Sequence, residues 1–128
     1  MAEISNYLET KLIDLILRNT AFTTPGTVYV ALYTSNPTDA DSGTEVATGS
    51  YARQSVAFSA PSNGATSNSS DITFPTATAD WGTITHAAIH DAVSSGNMLF
   101  HSALTSSKVV DDGDTFKINS TDLDIDIA

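Results

Sequence analysis

At 128 residues the chain is long enough for one domain with a real core. Its formal net charge of -10, with only five Lys and Arg, argues against binding to nucleic acid or to anionic lipid, both of which need cations. It has no cysteine, so disulfides and thiolate chemistry are excluded, and no apolar run nears the ~20 residues that span a bilayer. The hydrophobic fraction is 41% and the charged fraction 16%. With much Ser, Thr, Ala and Asp, this suits an all-β protein with polar loops better than a helical bundle.

The opening MAEISNYLETK is polar and acidic, unlike a secretory signal peptide, and predicts a protein made and kept in the cytoplasm or in something assembled there. Residues 5–18 read as the single helix, with Asn6 and Glu9 as an N-cap pair. Leu8, Leu12, Leu15 and Ile16 form its amphipathic stripe, and Ile13 and Leu17 lie beyond it. The apolar arc is about 200° wide, against about 100° for a one-sided surface helix. Such a helix is expected to touch two things, its own domain and a neighbouring subunit; the alternative is a helix sunk deep in its own fold.

Residues 21–26 are a turn-rich link. Residues 28–33 (VYVALY) are a strand apolar on both faces. Residues 34–50 form a polar loop longer than ordinary connections, of the kind that is functional or disordered. Strand character resumes over 51–59, with Val56 and Phe58 facing one way, and residues 60–70 are a second turn cluster.

The rest is organised around residues 72–104. A short run at Ile72 and Phe74 is closed by Pro75, and Trp81, the only tryptophan, introduces a long run over 83–91. The cluster Ser94-Ser95-Gly96-Asn97 turns the chain into Met98-Leu99-Phe100-His101, the strongest hairpin signal present. Trp81, Ile84, Met98 and Phe100 are its expected anchors. Residues 108–110 read as a short strand or its approach, Asp112-Gly113 as a tight turn into Phe116 and Ile118. The end alternates Asp122, Leu123, Asp124, Ile125, Asp126, Ile127: three carboxylates on one face, three aliphatics on the other.

The expected architecture is an all-β, antiparallel, jelly-roll-like β-sandwich of about seven or eight strands with one N-terminal α-helix. Residues 1–20 would be the helical part, within the domain or as an interface arm, and residues 21–128 the sandwich.

All three histidines fall in the hairpin region. His86 and His90 share a strand face but stand about 13 Å apart at ~3.3 Å per residue. They cannot share a zinc with bonds of about 2.0–2.1 Å, and HAAIH lacks the acidic residue of HExxH. His101 adds at best a second ligand to either one. The expectation is polar residues on the outer sheet face and no metal. No GxSxG elbow supports a Ser-His-Asp triad. Residues 39–45 place oxygen ligands at alternate positions, but Gly43 stands where a calcium loop of the EF-hand kind needs a ligand and the closing glutamate is missing. No catalytic residue and no cofactor is expected. Asp122, Asp124 and Asp126 form a carboxylate ladder, read either as a solvated face guarding an edge strand or as a docking face for a basic surface.

The phrases ALYTSNPT, SYARQ and FPTATADWG, within a pattern running over nearly the whole chain, resemble a family of small bacteriophage virion proteins commonly labelled phage tail fibre proteins. Positions 90 and 101 carry histidine where relatives commonly carry aromatic or other residues. The resemblance implies a structural virion role with no catalytic residues to carry over. Phage β-sandwich proteins of this size also serve as capsid decoration or cement proteins, often trimers on the outside of the shell. The expected function is therefore capsid decoration, on small size, lack of repeats and the two-sided helix. The alternative is a tail-associated fibre subunit, adaptor or host-binding tip. The expected partners are the major capsid protein or other virion proteins and further copies of the chain, with a trimer favoured. The expected interface residues are Leu8, Leu12, Ile13, Leu15, Ile16 and Leu17 of the helix and Asp122, Asp124 and Asp126.

Overall fold

A computed structural model describes residues 2–127; residues 1 and 128, the outer ends of the two expected segments, lie outside the described residues. In chain order the elements are β1 (Glu3–Ile4), α1 (Asn6–Leu17), β2 (Val28–Tyr33), β3 (Gln54–Val56), β4 (Ala65–Ser67), β5 (Ile72–Thr73), β6 (Gly82–His90), β7 (Met98–Val110), β8 (Lys117–Ile118) and β9 (Asp124–Asp126). The long β6–β7 hairpin forms the middle of a five-stranded sheet ordered β1-β7-β6-β2-β3, and its pairings are antiparallel. Two short antiparallel ladders, β4 with β9 and β5 with β8, make the facing layer of the sandwich.

The apolar core fills the space between these layers. Val30, Leu32, Ile84, Ile89 and Leu99 come from the large sheet; Ile72, Phe74, Trp81, Phe116 and Ile125 meet them. Phe74 stands edge-on to Trp81 and Phe116, with ring centroids 6.5 and 5.7 Å apart, and Tyr51 stacks on Phe74 at 6.1 Å. Edge-on pairs suit the ring quadrupole and add to the area these rings bury. The Trp81 indole N–H donates to the Gly49 carbonyl at 3.0 Å. Gly49 has φ +64°, and a Cβ there would meet the Ala79 carbonyl at 2.8 Å, so the close approach requires glycine.

β7 differs from the expectation. It runs unbroken to Val110, so Lys108 to Val110 is not a separate strand but the distal half of the hairpin, Thr83 pairing with Val109 and Ile84 with Lys108. Register shifts beside Ile84/His86 and Ile89/His90 let so long a hairpin twist without breaking. The described residues hold nine strands, several of them only two or three residues long, which are too brief to leave a period-2 pattern in sequence.

The helix start also differs. Ser5, not Asn6, is the N-cap: its backbone is extended (ψ 156°) and its hydroxyl accepts from the Leu8 N–H at 3.2 Å. The same hydroxyl donates to the Met98 carbonyl, and the Ser5 N–H donates to the Leu99 carbonyl at 2.9 Å. Ser5 thus fixes the helix to β7, a task Asn6 one position later cannot share.

Residues 34–50 fold back on β2 as an ordered loop. Thr34 N–H donates to Thr44 O and Val46 N–H to Leu32 O, while Val46 and Pro37 are buried. Its polar side chains serve its own backbone: Asn36 Oδ1 accepts from Thr38 N–H at 2.8 Å and Ser35 Oγ from Thr44 N–H at 2.9 Å.

Candidate assembly surface and the buried polar network

α1 lies against the body through its first two turns. Leu8 is buried and Leu12 packs on the core. Beyond them Ile13 is 55% exposed, Leu15 40%, Ile16 73% and Leu17 76%. The expected stripe therefore ends at Leu12, and Ile16 points outward with Ile13 and Leu17. On a wheel of about 100° per residue these three occupy an arc about 80–180° from Leu8, so one rotation of the helix cannot bury both sets. The helix segment 6–18 is electrically neutral, Glu9 and Asp14 balancing Lys11 and Arg18, in a chain of net charge -10. Arg18 pairs with Asp14 at 2.9 Å, and the Lys11 ammonium sits over the Tyr7 ring at 5.7 Å.

The carboxylate ladder is shorter than its sequence pattern. Asp122 lies in a turn, its N–H donating to Asn119 O at 3.1 Å, and only Asp124 and Asp126 flank Ile125 within β9. Ile125 is buried, whereas Ile127 is 61% exposed. Asp122 and Asp124 line a groove of about 370 Å³ together with Lys108 and Lys117, and the Lys117 ammonium pairs with Asp71 at 3.2 Å. α1 packs against β7, whereas the strand that carries Asp124 and Asp126 pairs with β4.

The histidines do share the face of the five-stranded sheet turned away from the main core, but most of that face is covered. Tyr33 pairs with His86, Ala31 with Ala88 and Ala88 with His101, so these side chains share a face with His90. The 34–50 loop and the helix start cover much of it, and His90 and His101 are buried at 1% and 4% exposure. The three acidic side chains of the loop diverge rather than converge on one ion: Asp39 reaches His101, Asp41 accepts from the Tyr33 hydroxyl, and Glu45 accepts from Tyr51 and Arg53.

Arg53 is the centre of this network. Its Nη2 and Nε donate to Glu45 Oε1 and Oε2 at 2.7 and 2.8 Å, and its Nη1 donates to the carbonyls of Ala92 and Ser95 at 2.9 and 2.8 Å. One guanidinium thus joins the 34–50 loop to the β6–β7 turn. Burial pushes the Glu45 carboxyl up, but the hydrogen bonds from Arg53 and Tyr51 outweigh it and hold the group below its usual range. Tyr51 hydroxyl also accepts the Leu32 N–H at 3.0 Å, and burial pushes its phenol far up. Sequence reasoning passed over Arg53. The available signal was its isolation, since it is the only Lys or Arg between positions 19 and 107 and follows a loop with three acidic residues.

His90 Nε2 lies 2.9 Å from the Tyr33 hydroxyl, whose proton goes to Asp41 Oδ1 at 2.7 Å. Nε2–H therefore donates, and the buried Nδ1 has no hydrogen-bond partner among the described residues. Burial, aided by the Arg53 charge, pushes the His90 pKa below 6.5. The unfolded chain then takes up this proton more readily, so the stability that neutral His90 contributes is full above pH 6.5 and is lost as the pH falls below it. Denaturant titrations should show a lower unfolding midpoint at mildly acidic pH than at neutral pH. His90→Gln should flatten that difference; an equal pH dependence in the variant contradicts this assignment.

Residues 3–126 match the protein family described as Podophage GP4 fiber I protein gp80. The chain belongs to this phage fibre protein family. It is accordingly a virion component, a structural protein that associates with other virion proteins and is assembled in the host cell. No curated protein matches it. Within this family member, the phrases that carry the resemblance fall on the features just described. ALYTSNPT supplies Tyr33 and Pro37, SYARQ supplies Tyr51 and Arg53, and FPTATADWG supplies Phe74, Ala77 and Trp81.

Proposed function

We propose that this family member is a non-enzymatic subunit of a fibre-type virion appendage, joined to its neighbours, copies of itself first, through the apolar outer face of α1. The observation that carries this is the exposure of Ile13, Ile16 and Leu17 on a neutral helix of a strongly acidic protein. Copies that approach elsewhere bring like charges together; at α1 they bring apolar surface. Fully burying one Ile or Leu side chain is worth about 1.5–3 kcal/mol, so each such residue that a neighbouring copy covers, in a trimer or otherwise, favours association. Asp122, Asp124 and Asp126, two of them in a groove that Lys108 and Lys117 also line, read as a solvated face.

Raising the salt concentration screens the like charges and leaves apolar burial intact, so self-association should hold or tighten. Sedimentation that shows dissociation in high salt would instead favour electrostatic docking by the acidic β9 region. A second reading, capsid decoration, is favoured by the lack of any shaft or repeat among the described residues, which form one sandwich with a helix at its side. Particles lacking the protein separate the two. Lost adsorption with a normal, heat-resistant head supports the fibre; lost heat or osmotic resistance with normal adsorption supports decoration.

A further inference from the structure

We propose that Glu3, Asp39 and His101 form a binding site for a divalent transition cation of the zinc type. The three come from separate elements that the backbone brings to one point. Glu3 of β1 is paired directly with His101 of β7, which sets their side chains on one face. Asp39 is delivered by the 34–50 loop, whose position there is fixed because its carbonyl accepts the Asn6 N–H at 2.9 Å at the helix start. One ligand atom from each residue lies within 4.8 Å of the others.

His101 is 4% exposed, yet its Nε2 is directed at two carboxylates, 2.7 Å from Asp39 Oδ1 and 3.8 Å from Glu3 Oε2. One imidazole N–H serves the nearer oxygen and not the farther, so the second carboxylate has no donor from this ring. A dication in place of the Nε2 proton satisfies all three. A tetrahedral zinc with bonds of about 2.0–2.2 Å sets its ligands about 3.3–3.6 Å apart, which lies inside the observed spread. Glu3 and Asp39, with side chains 71% and 45% exposed, are free to make the small closing movement. Three protein ligands leave a position for water. The imidazole nitrogen selects against calcium, which takes six to eight oxygens. The sequence pattern tested His101 only against His86 and His90; its fitting partners are carboxylates distant in the chain. A bound cation would tie β1, the loop and β7 together and so hold the start of α1. This site does not depend on what α1 contacts.

The test is Zn²⁺ titration of the intact, chelator-stripped protein, with Co²⁺ as a spectroscopic substitute and hydrogen exchange as a second readout. One Zn²⁺ per chain should bind at micromolar concentration or tighter, and Glu3→Gln and Asp39→Asn should each weaken binding by roughly tenfold or more. Zinc should slow amide exchange over residues 3–8 in the natural protein and not in Asp39→Asn. Glu3→Gln replaces an exposed carboxylate, so its metal-free melting curve should match that of the natural protein; Asp39→Asn also removes the charged partner of the buried His101, so its zinc response is read against its own metal-free curve. No binding at millimolar zinc overturns the proposal. Binding that both substitutions leave unchanged also overturns it, since the ion then sits on other carboxylates.

Discussion

Arg53→Ala is expected to lower the unfolding free energy by about 2–3 kcal/mol, less than the roughly 3–5 kcal/mol of a fully buried ion pair because Glu45 keeps some contact with water. The Arg53 side chain is 7% exposed and that of Glu45 24%. Truncation leaves the Glu45 carboxylate with Tyr51 alone and removes the donor from the part-buried Ala92 carbonyl, while the exposed Ser95 carbonyl turns to water. Native domains are stable by about 5–15 kcal/mol, so the variant loses a large share of its margin. Arg53→Lys should fall between, because an ammonium cannot reproduce the two-pronged contact. Replacing both partners with Arg53→Met and Glu45→Leu should recover part of the loss, since no lone charge is left buried. Urea titrations of the variants decide this. A cost under about 1 kcal/mol for Arg53→Ala would mean that the guanidinium is not the tie between the loop and the hairpin.

The second large effect is on association. Ile16→Asp with Leu17→Asp should leave the fold within about 0.5 kcal/mol of the natural protein, because both side chains are exposed. Self-association should weaken by about 100-fold or more, from the lost apolar burial of two side chains at about 1.4 kcal/mol per tenfold. Leu12→Asp is not an equivalent test. Leu12 packs on the core, so a charge there destabilises the monomer as well as any contact. Sedimentation and circular dichroism on the double variant separate the two effects. Unchanged association in a folded variant would remove α1 from the interface.

Much of the fold was legible from local pattern. The VYVALY run, apolar on both faces, became β2, buried on both sides; the turn at 94–97 set the central hairpin; the wide apolar arc of the helix became one packed face and one exposed face. What was not legible depends on contacts across the chain. Nothing near His101 in sequence points to Glu3 and Asp39, and nothing in the composition of the 34–50 loop reveals that it covers a sheet face and buries two histidines. A polar loop whose side chains bond its own backbone has the same composition as a solvated one. The same holds for Ser5. Ser and Asn cap helices about equally well, and the choice between Ser5 and Asn6 is made by the Met98 and Leu99 carbonyls, far away in sequence.

The most direct test is a density map of intact particles in which this protein is resolved. If α1 is the joint, Ile13, Ile16 and Leu17 will be buried against neighbouring subunits of a fibre-type appendage, with Asp124 and Asp126 facing solvent. A map in which the outer face of α1 is bare, and contact is made through the acidic β9 layer, would contradict it.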